Sequence, residues 1–313
     1  MPSRRPSITV VVPVYRSETL LRPLVERLRP VLEAHASASE LVLVDDSSPD
    51  GSWAVVRDLC REHAWIRGIR LMRNYGQHSA ILCGIRAARH EIVVTMDDDL
   101  QHPPEEMPKL LAELGEACDV VYGTPEREQH GLVRDLASQI AKLVLQGAMG
   151  AETARKVSAF RAFRTDLRDA FAAYRGQFVS IDVLLTWGTT RFRAVRVRHD
   201  ARAEGVSSYT WRKLLTHALN MMTGFSAFPL QIASVVGFAF TLFGMGILVY
   251  VLARYLVSGV SVQGFTFLAS AIAIFSGAQL FALGIIGEYL ARMHFRIMDR
   301  PPYAVRTQTE AAP

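Results

Sequence analysis

Three aspartates stand side by side in TMDDDLQHPPEEMP, residues 95–108, directly after the run Ile92-Val93-Val94. Adjacent carboxylates repel one another unless solvent or a cation intervenes, so Asp97, Asp98 and Asp99 propose a metal site at the carboxyl end of a buried strand. The same residues also fit a polar turn before a helix opened by Pro103-Pro104, where Glu105 and Glu106 match the positive helix start. A second acidic pair, Asp45-Asp46, closes the run LVLV. Asp99 supplies one oxygen, and Gln101, two residues on, another if the backbone stays extended; Mg²⁺ or Mn²⁺ would fill its shell with phosphate oxygens and water. Asp97 is then placed for ribose hydroxyls, Asp45 for a base N–H and Tyr15 for stacking on a base. These segments carry neither the GxGxxG of dinucleotide binding nor the GKS/T of a P-loop, so a bound diphosphate has no glycine cradle and needs a divalent cation. A nucleotide-diphosphate donor is the simplest ligand for this set.

Those groups need a scaffold that gathers them. Residues 8–14, 41–44, 69–72, 92–96 and 120–122 are short β-branched-rich runs separated by segments of helical periodicity. Leu20, Leu21, Leu24, Val25 and Leu28 form one stripe, and Val55, Val56 and Leu59 another. The pattern predicts an α/β domain over residues 1–210, a Rossmann-like, mostly parallel sheet wrapped by helices. In such a fold ligands gather outside the carboxyl ends of the strands, the edge that Val14-Tyr15, Asp45-Asp46 and the 97–99 triplet would share.

The chain has 313 residues and a formal net charge of +5, but residues 228–291 are almost uncharged. Residues 229–253 hold no ionisable group except Tyr250, and 265–287 hold none. Helices over 229–253 and 265–288 would each reach roughly 35 Å, enough for a hydrocarbon core of ~30 Å. Residues 211–222, WRKLLTHALNMM, space their apolar side chains as an amphipathic helix, so 211–227 is expected in the headgroup zone. Arg191, Arg193, Arg196, Arg198, Arg202, Arg212 and Lys213 precede the apolar hairpin, and Arg292, Arg296, Arg300 and Arg306 follow it, which puts both termini in the cytoplasm. The start lacks a signal peptide's long apolar run and cleavage site. Residues 292–313 read as a basic tail, with RTQTEAAP disordered. Cys60, Cys83 and Cys118 form no CxxC pair and fit reduced structural thiols. The positive charge suits lipid headgroups without requiring nucleic acid.

VVVPVYRSE, LVLVDDSSPDGS, RNYGQHSAI and MDDDLQHPPE, in this order and spacing, resemble the family 2 glycosyltransferases of GT-A fold. Within that family the chain is similar to the polyprenyl-phosphate glycosyltransferases, including dolichol-phosphate mannose synthase and the bactoprenol glucosyltransferases. RNYGQHSAI and GEYLAR favour the undecaprenyl-phosphate 4-deoxy-4-formamido-L-arabinose transferase branch. The resemblance implies an inverting, membrane-bound enzyme of the bacterial inner membrane, a UDP-sugar donor and an undecaprenyl or other polyprenyl phosphate acceptor. Envelope glycan or lipid A modification is the implied purpose, and a homo-oligomer is left open. It also implies that Pro13, Tyr15, Glu18 and Asp45 surround the base and that Asp97 and Asp99 are the paired acids. Gln101 would assist the metal, Arg127, Arg134 and Ser138 take the lipid phosphate, and Arg202 reaches both phosphates. The chain departs from the pattern in reading Arg16-Ser17 where members often have PVYNE, in Asp98 where they have alanine or glycine, and in lacking the lysine of GxSKY at Gly205–Tyr209.

A lipid phosphate monoester has its second pKa near ~6 and is mostly an oxyanion at neutral pH. His78 and His102 are therefore not needed as general bases, and His78 reads as a helix-start or sugar-pocket residue. Two other readings stand beside this one. A processive polysaccharide synthase would share the fold and spans, but its Q-x-x-R-W helix is missing. A non-catalytic sugar-nucleotide-binding protein would not need an intact acid set.

Overall fold

The computed structural model describes residues 5–125, 157–200, 228–258 and 264–309. Along the chain come β1 (Ser7–Val14), α1 (Leu21–His35), β2 (Ala38–Asp45), α2 (Ser52–Glu62), β3 (Ile66–Leu71), α3 (Gln77–Ala87), β4 (Ile92–Thr95) and α4 (Met107–Glu113). There follow β5 (Val120–Pro125), β6 (Arg161–Arg164), α5 (Ile181–Gly188), β7 (Phe192–Val197), α6 (Phe228–Ser258), α7 (Phe265–Ile297) and β8 (Val305–Thr309). They divide into two units, Met1–Ala218 with Asp299–Pro313, and Leu219–Met298.

The first unit is built on one sheet, ordered β7-β5-β6-β4-β1-β2-β3-β8. β1 is parallel to β2 and β4, β2 to β3, and β5 to β7, whereas β6 runs antiparallel between β4 and β5. The near-continuous apolar run of β1 is explained by cover on both faces. Ile8, Val10, Val12 and Val14 join a core with Leu21, Leu24 and Leu28 of α1 and Val56 of α2. Val11 points to the other core, with Ala80, Ile81 and Leu82 of α3. Each such fully buried Val or Leu contributes ~1.5–3 kcal/mol relative to exposure. α3 sits so close to β1 that a Cβ on Gly84 would stand 2.2 Å from Val11 Cγ1, which only glycine avoids. Cys60, Cys83 and Cys118 are buried free thiols, as expected, and burial pushes Cys83 up to about 12.

Residues 306–309, read from the sequence as the start of a disordered tail, instead lie with Val305 in the edge strand β8, antiparallel to β3. Val305 to Gln308 are all exposed and the strand is polar after Val305, so the apolar signal is missing. Tyr303 fixes the segment before the strand, with the Arg86 guanidinium 5.7 Å from its ring, and Met72 N–H donates to Ala304 O at 2.8 Å. Arg191 and Arg193 also change meaning. They belong to β7 and its approach, where Arg191 pairs with Asp119 at 2.8 Å and Arg193 with Glu113 at 2.6 Å. Their charges are paired at the edge of the sheet.

The second unit holds α6 and α7, of 31 and 33 residues, about 46 and 50 Å long. Within them Leu230–Arg254 and Ile274–His294 are long and apolar enough to cross a bilayer. Phe238, Phe243, Leu280 and Phe281 are each more than 60% exposed, an arrangement suited to lipid rather than water. Phe240 and Phe275 meet edge to face at 5.4 Å between the two helices. The expected interface helix at 211–227 lies outside the described residues.

Candidate active site

Strand order turns at β1: β2 and β3 lie to one side and β4 to the other, which opens a crevice between the carboxyl ends of β1 and β4. Register keeps the ends level, with Val11 opposite Thr95 and Val14 opposite Asp45. The β4 ladder stops at Val11, so the missing N–H of Pro13 leaves no gap there. Tyr15 follows β1 with its ring 43% exposed, and Asp97, Asp98 and Asp99 follow β4, half-buried on the facing wall. Arg16 (φ 59°), Ser47 (φ 57°) and Leu100 (φ 59°) occupy the left-handed region in the loops leaving β1, β2 and β4. Backbone strain of this kind in three converging loops marks a functional edge.

The sequence reading placed both Asp45 and Asp46 at this edge, and the structure separates their work. Asp45 is fully buried. Its Oδ1 accepts Ser48 N–H at 3.1 Å, and its Oδ2 faces Arg70 at 3.2 Å without a hydrogen bond. Burial raises its pKa against the opposing Ser48 hydrogen bonds. Asp46 instead accepts the N–H groups of Tyr75 and Gly76 at 2.7 and 2.8 Å. Gly76, at φ 91°, turns the chain into α3, and the turn sets Gln77 over the crevice, where its Nε2 donates to Asp97 Oδ1 at 2.6 Å. Glu18 accepts Gly51 N–H at 3.0 Å and so holds the start of α2.

Burial, and then the charges of Asp99 and Asp98, push Asp97 up to about 7, against the opposing charge of Arg161 and the hydrogen bond from Gln77. Burial lifts Asp98 to about 6 although Ser17 and Tyr15 donate to it. Asp99 Oδ1 accepts Gln101 N–H at 3.1 Å, closing a turn at left-handed Leu100. The extended backbone assumed for a paired Asp99 and Gln101 ligation is therefore not the one observed. Among the described residues no group of three or more His, Cys, Asp or Glu side chains could hold a metal alone. The excess carboxylate charge fits a cation that shares its shell with a ligand's oxygens, as a diphosphate would provide.

The profile of "Glycosyl transferase family 2" matches residues 9–177, more than half of the chain. This chain belongs to glycosyltransferase family 2. Among its relatives, the undecaprenyl-phosphate 4-deoxy-4-formamido-L-arabinose transferase of Pseudomonas paraeruginosa is 32% identical over 309 residues, covering 98% of this chain and 91% of the relative. The enzyme of the same name from Aeromonas hydrophila is 31% identical over 308 residues, covering 97% and 94%. Glucosyl-3-phosphoglycerate synthase from Mycobacterium tuberculosis, solved with Mn²⁺, UDP and glucosyl-3-phosphoglycerate, superposes with a TM-score of 0.53 at 17% identity, over 70% of this chain and 78% of that one. That likeness carries the fold, which is of GT-A type.

Of the expected site residues of this glycosyltransferase, Pro13, Tyr15, Asp45, Asp97, Asp99 and Gln101 lie at this edge of the sheet, while Glu18 is engaged by Gly51 at the start of α2. Arg127, Arg134, Ser138 and Arg202 lie outside the described residues. Three groups that the sequence reading missed stand beneath the acids. Arg161, 2% exposed and opposite Thr95 in β6, pairs with Asp182 of α5, which also accepts the Tyr122 hydroxyl at 3.1 Å. Burial holds the Tyr122 pKa far above its ordinary value, so the phenol remains a donor. The only sequence signal was an arginine between Phe160 and Phe163, and its partner lies 21 residues away.

Proposed function

We propose that this glycosyltransferase moves a sugar from a nucleotide-diphosphate donor, a UDP-sugar, to undecaprenyl or another polyprenyl phosphate at the cytoplasmic face of a bacterial inner membrane. The product serves envelope glycan or lipid A modification. The carrying observation is that an aromatic platform and an acid set meet at the β1/β4 crevice of a chain that also bears two exposed, bilayer-length helices. The relatives above support the acceptor class, undecaprenyl phosphate. We assign residues 1–210 to catalysis, 211–227 to the interface and 228–291 to the membrane.

The acceptor arrives as an oxyanion, so the residues have to hold it in line with the sugar's anomeric carbon rather than deprotonate it. Tyr15 and Asp45 hold the base, with Pro13 shaping the strand end, and Asp97 faces the ribose. Arg127, Arg134 and Ser138 receive the lipid phosphate, and Arg202 spreads its charge over both phosphates as the bond breaks. A divalent cation, Mg²⁺ or Mn²⁺, near Asp99 would neutralise the leaving diphosphate when bound. Displacement in one step inverts the anomeric centre.

Neither candidate histidine is placed as a base. His78 opens α3, and its Nδ1 accepts Ile181 N–H at 3.4 Å. His102 lies between Phe160 and His199, and burial pushes it down to about 4, too weak a base to take a proton at neutral pH. His78→Ala and His102→Ala are each expected within about tenfold of normal initial rate, against the ~10² to 10⁴ that loss of a general base removes. Arg202→Ala loses more than either. A folded His78 variant a thousandfold slower would point to a hydroxyl acceptor instead.

Detergent-solubilised protein given a panel of nucleotide sugars and undecaprenyl phosphate should form a glycosyl lipid from one UDP-sugar. No lipid product from any donor would overturn the reading. A tag at Gly259 should be reachable from the periplasm and tags at the termini only from the cytoplasm. A protected Gly259 in cells with a permeabilised outer membrane would remove the hairpin.

A further inference from the structure

The chain leaving β1 has few reasons of its own to hold one shape. Arg16 sits at φ 59°, a region disfavoured for any residue with a Cβ, and Tyr15 is 43% exposed, with the Arg16 guanidinium 5.5 Å from its ring. One bond lies within the loop, the Ser17 hydroxyl donating to Tyr15 O at 3.3 Å, and the others come from outside it. Arg16 N–H donates to Ser48 Oγ at 3.2 Å and Ser17 N–H to Ser52 Oγ at 2.9 Å, both from the β2 side. From the β4 side one group among the described residues reaches it, the Asp98 carboxylate, whose Oδ2 accepts Tyr15 N–H at 3.2 Å and also the Ser17 hydroxyl. Ser17 is 3% exposed, so its hydroxyl has little water to turn to.

We infer that Asp98 is a positioning residue for donor binding, locking the aromatic platform at the end of β1 to the acids at the end of β4. The inference rests on the nucleotide-sugar reading above and adds a role that the paired-acid pattern leaves blank. Two places where the sequence departs from that pattern, Ser17 and Asp98, are in contact with each other. Through this contact the distance between base platform and diphosphate end is set by a side chain instead of by a free loop. A negative charge is not what the role requires, because both partners are donors and an amide oxygen also accepts them, though more weakly. Removing the acceptor leaves Tyr15 to sample orientations of which only some stack a base, and apparent affinity falls by the fraction lost.

The test is calorimetric titration of the full-length, detergent-solubilised chain with UDP in the presence of Mn²⁺, each variant first checked by thermal melting. Asp98→Ala is expected to weaken UDP by about tenfold, and Asp98→Asn to stay within about threefold of the unaltered protein. Ser17→Ala should fall between them, and the Asp98→Ala/Ser17→Ala pair should be no weaker than Asp98→Ala alone, since the two residues share one contact. UDP binding unchanged in Asp98→Ala, or Asp98→Asn as weak as Asp98→Ala, overturns this inference and leaves the functional reading standing. An unaltered protein that does not bind UDP at all overturns the donor assignment, and this inference with it.

Discussion

Asp99→Asn is expected to slow glycosyl transfer by about 10³-fold or more while the melting temperature stays level or rises. The rate falls because the asparagine removes the carboxylate best placed to share a cation with the diphosphate, and losing ~4 kcal/mol of charge stabilisation in the transition state is a thousandfold. The fold survives because the same carboxylate is a burden to its neighbours: its charge helps push Asp97 up to about 7 and Asp98 to about 6. Initial rates across a Mn²⁺ titration, with melting curves beside them, separate the two effects. Rates within tenfold of normal, or an equally severe loss in Asp98→Asn, would show that the acids have been given the wrong roles.

Arg161→Ala is expected to cost about 3–5 kcal/mol of stability, the usual result of stranding one partner of a buried ion pair. For a domain of this size that lowers the melting temperature by roughly 10 °C. Arg161 and Asp182 are both nearly inaccessible, and Tyr122 donates to the same carboxylate, so no water is at hand to replace the guanidinium. Removing both charges is a different experiment. An Arg161→Met/Asp182→Leu protein replaces the pair with apolar volume and should recover much of the loss. Equal melting temperatures for Arg161→Ala and the unaltered chain would mean that the pair is solvated and not structural.

The two predictions draw on opposite degrees of legibility. Asp97 and Asp99 could be read from the sequence because strand-end acids after a β-branched run carry their own signature, as do β1 to β5. Arg161 could not, because a strand reading RAFR looks polar until Asp182 arrives to neutralise it from another element. β7 was hidden for a related reason. Its arginines look like membrane-flanking charges, and only the fold reveals that Asp119 and Glu113 take two of those in and beside it. Gln101 shows a third kind of miss: its backbone was taken as extended when Leu100 in fact turns it.

β8 carries a consequence for how the molecule is made. Its partner β3 is synthesised more than 200 residues earlier, and the two long apolar helices lie between them in the chain. While the ribosome works through that interval the far side of the sheet presents a bare row of amide and carbonyl groups, the kind of border to which other chains readily add. The sheet gains its last strand only once both hydrophobic segments have emerged, so completion of the catalytic unit waits on the membrane-bound part of the chain. A chain stopped before Val305 would therefore keep β3 as an open edge of the sheet.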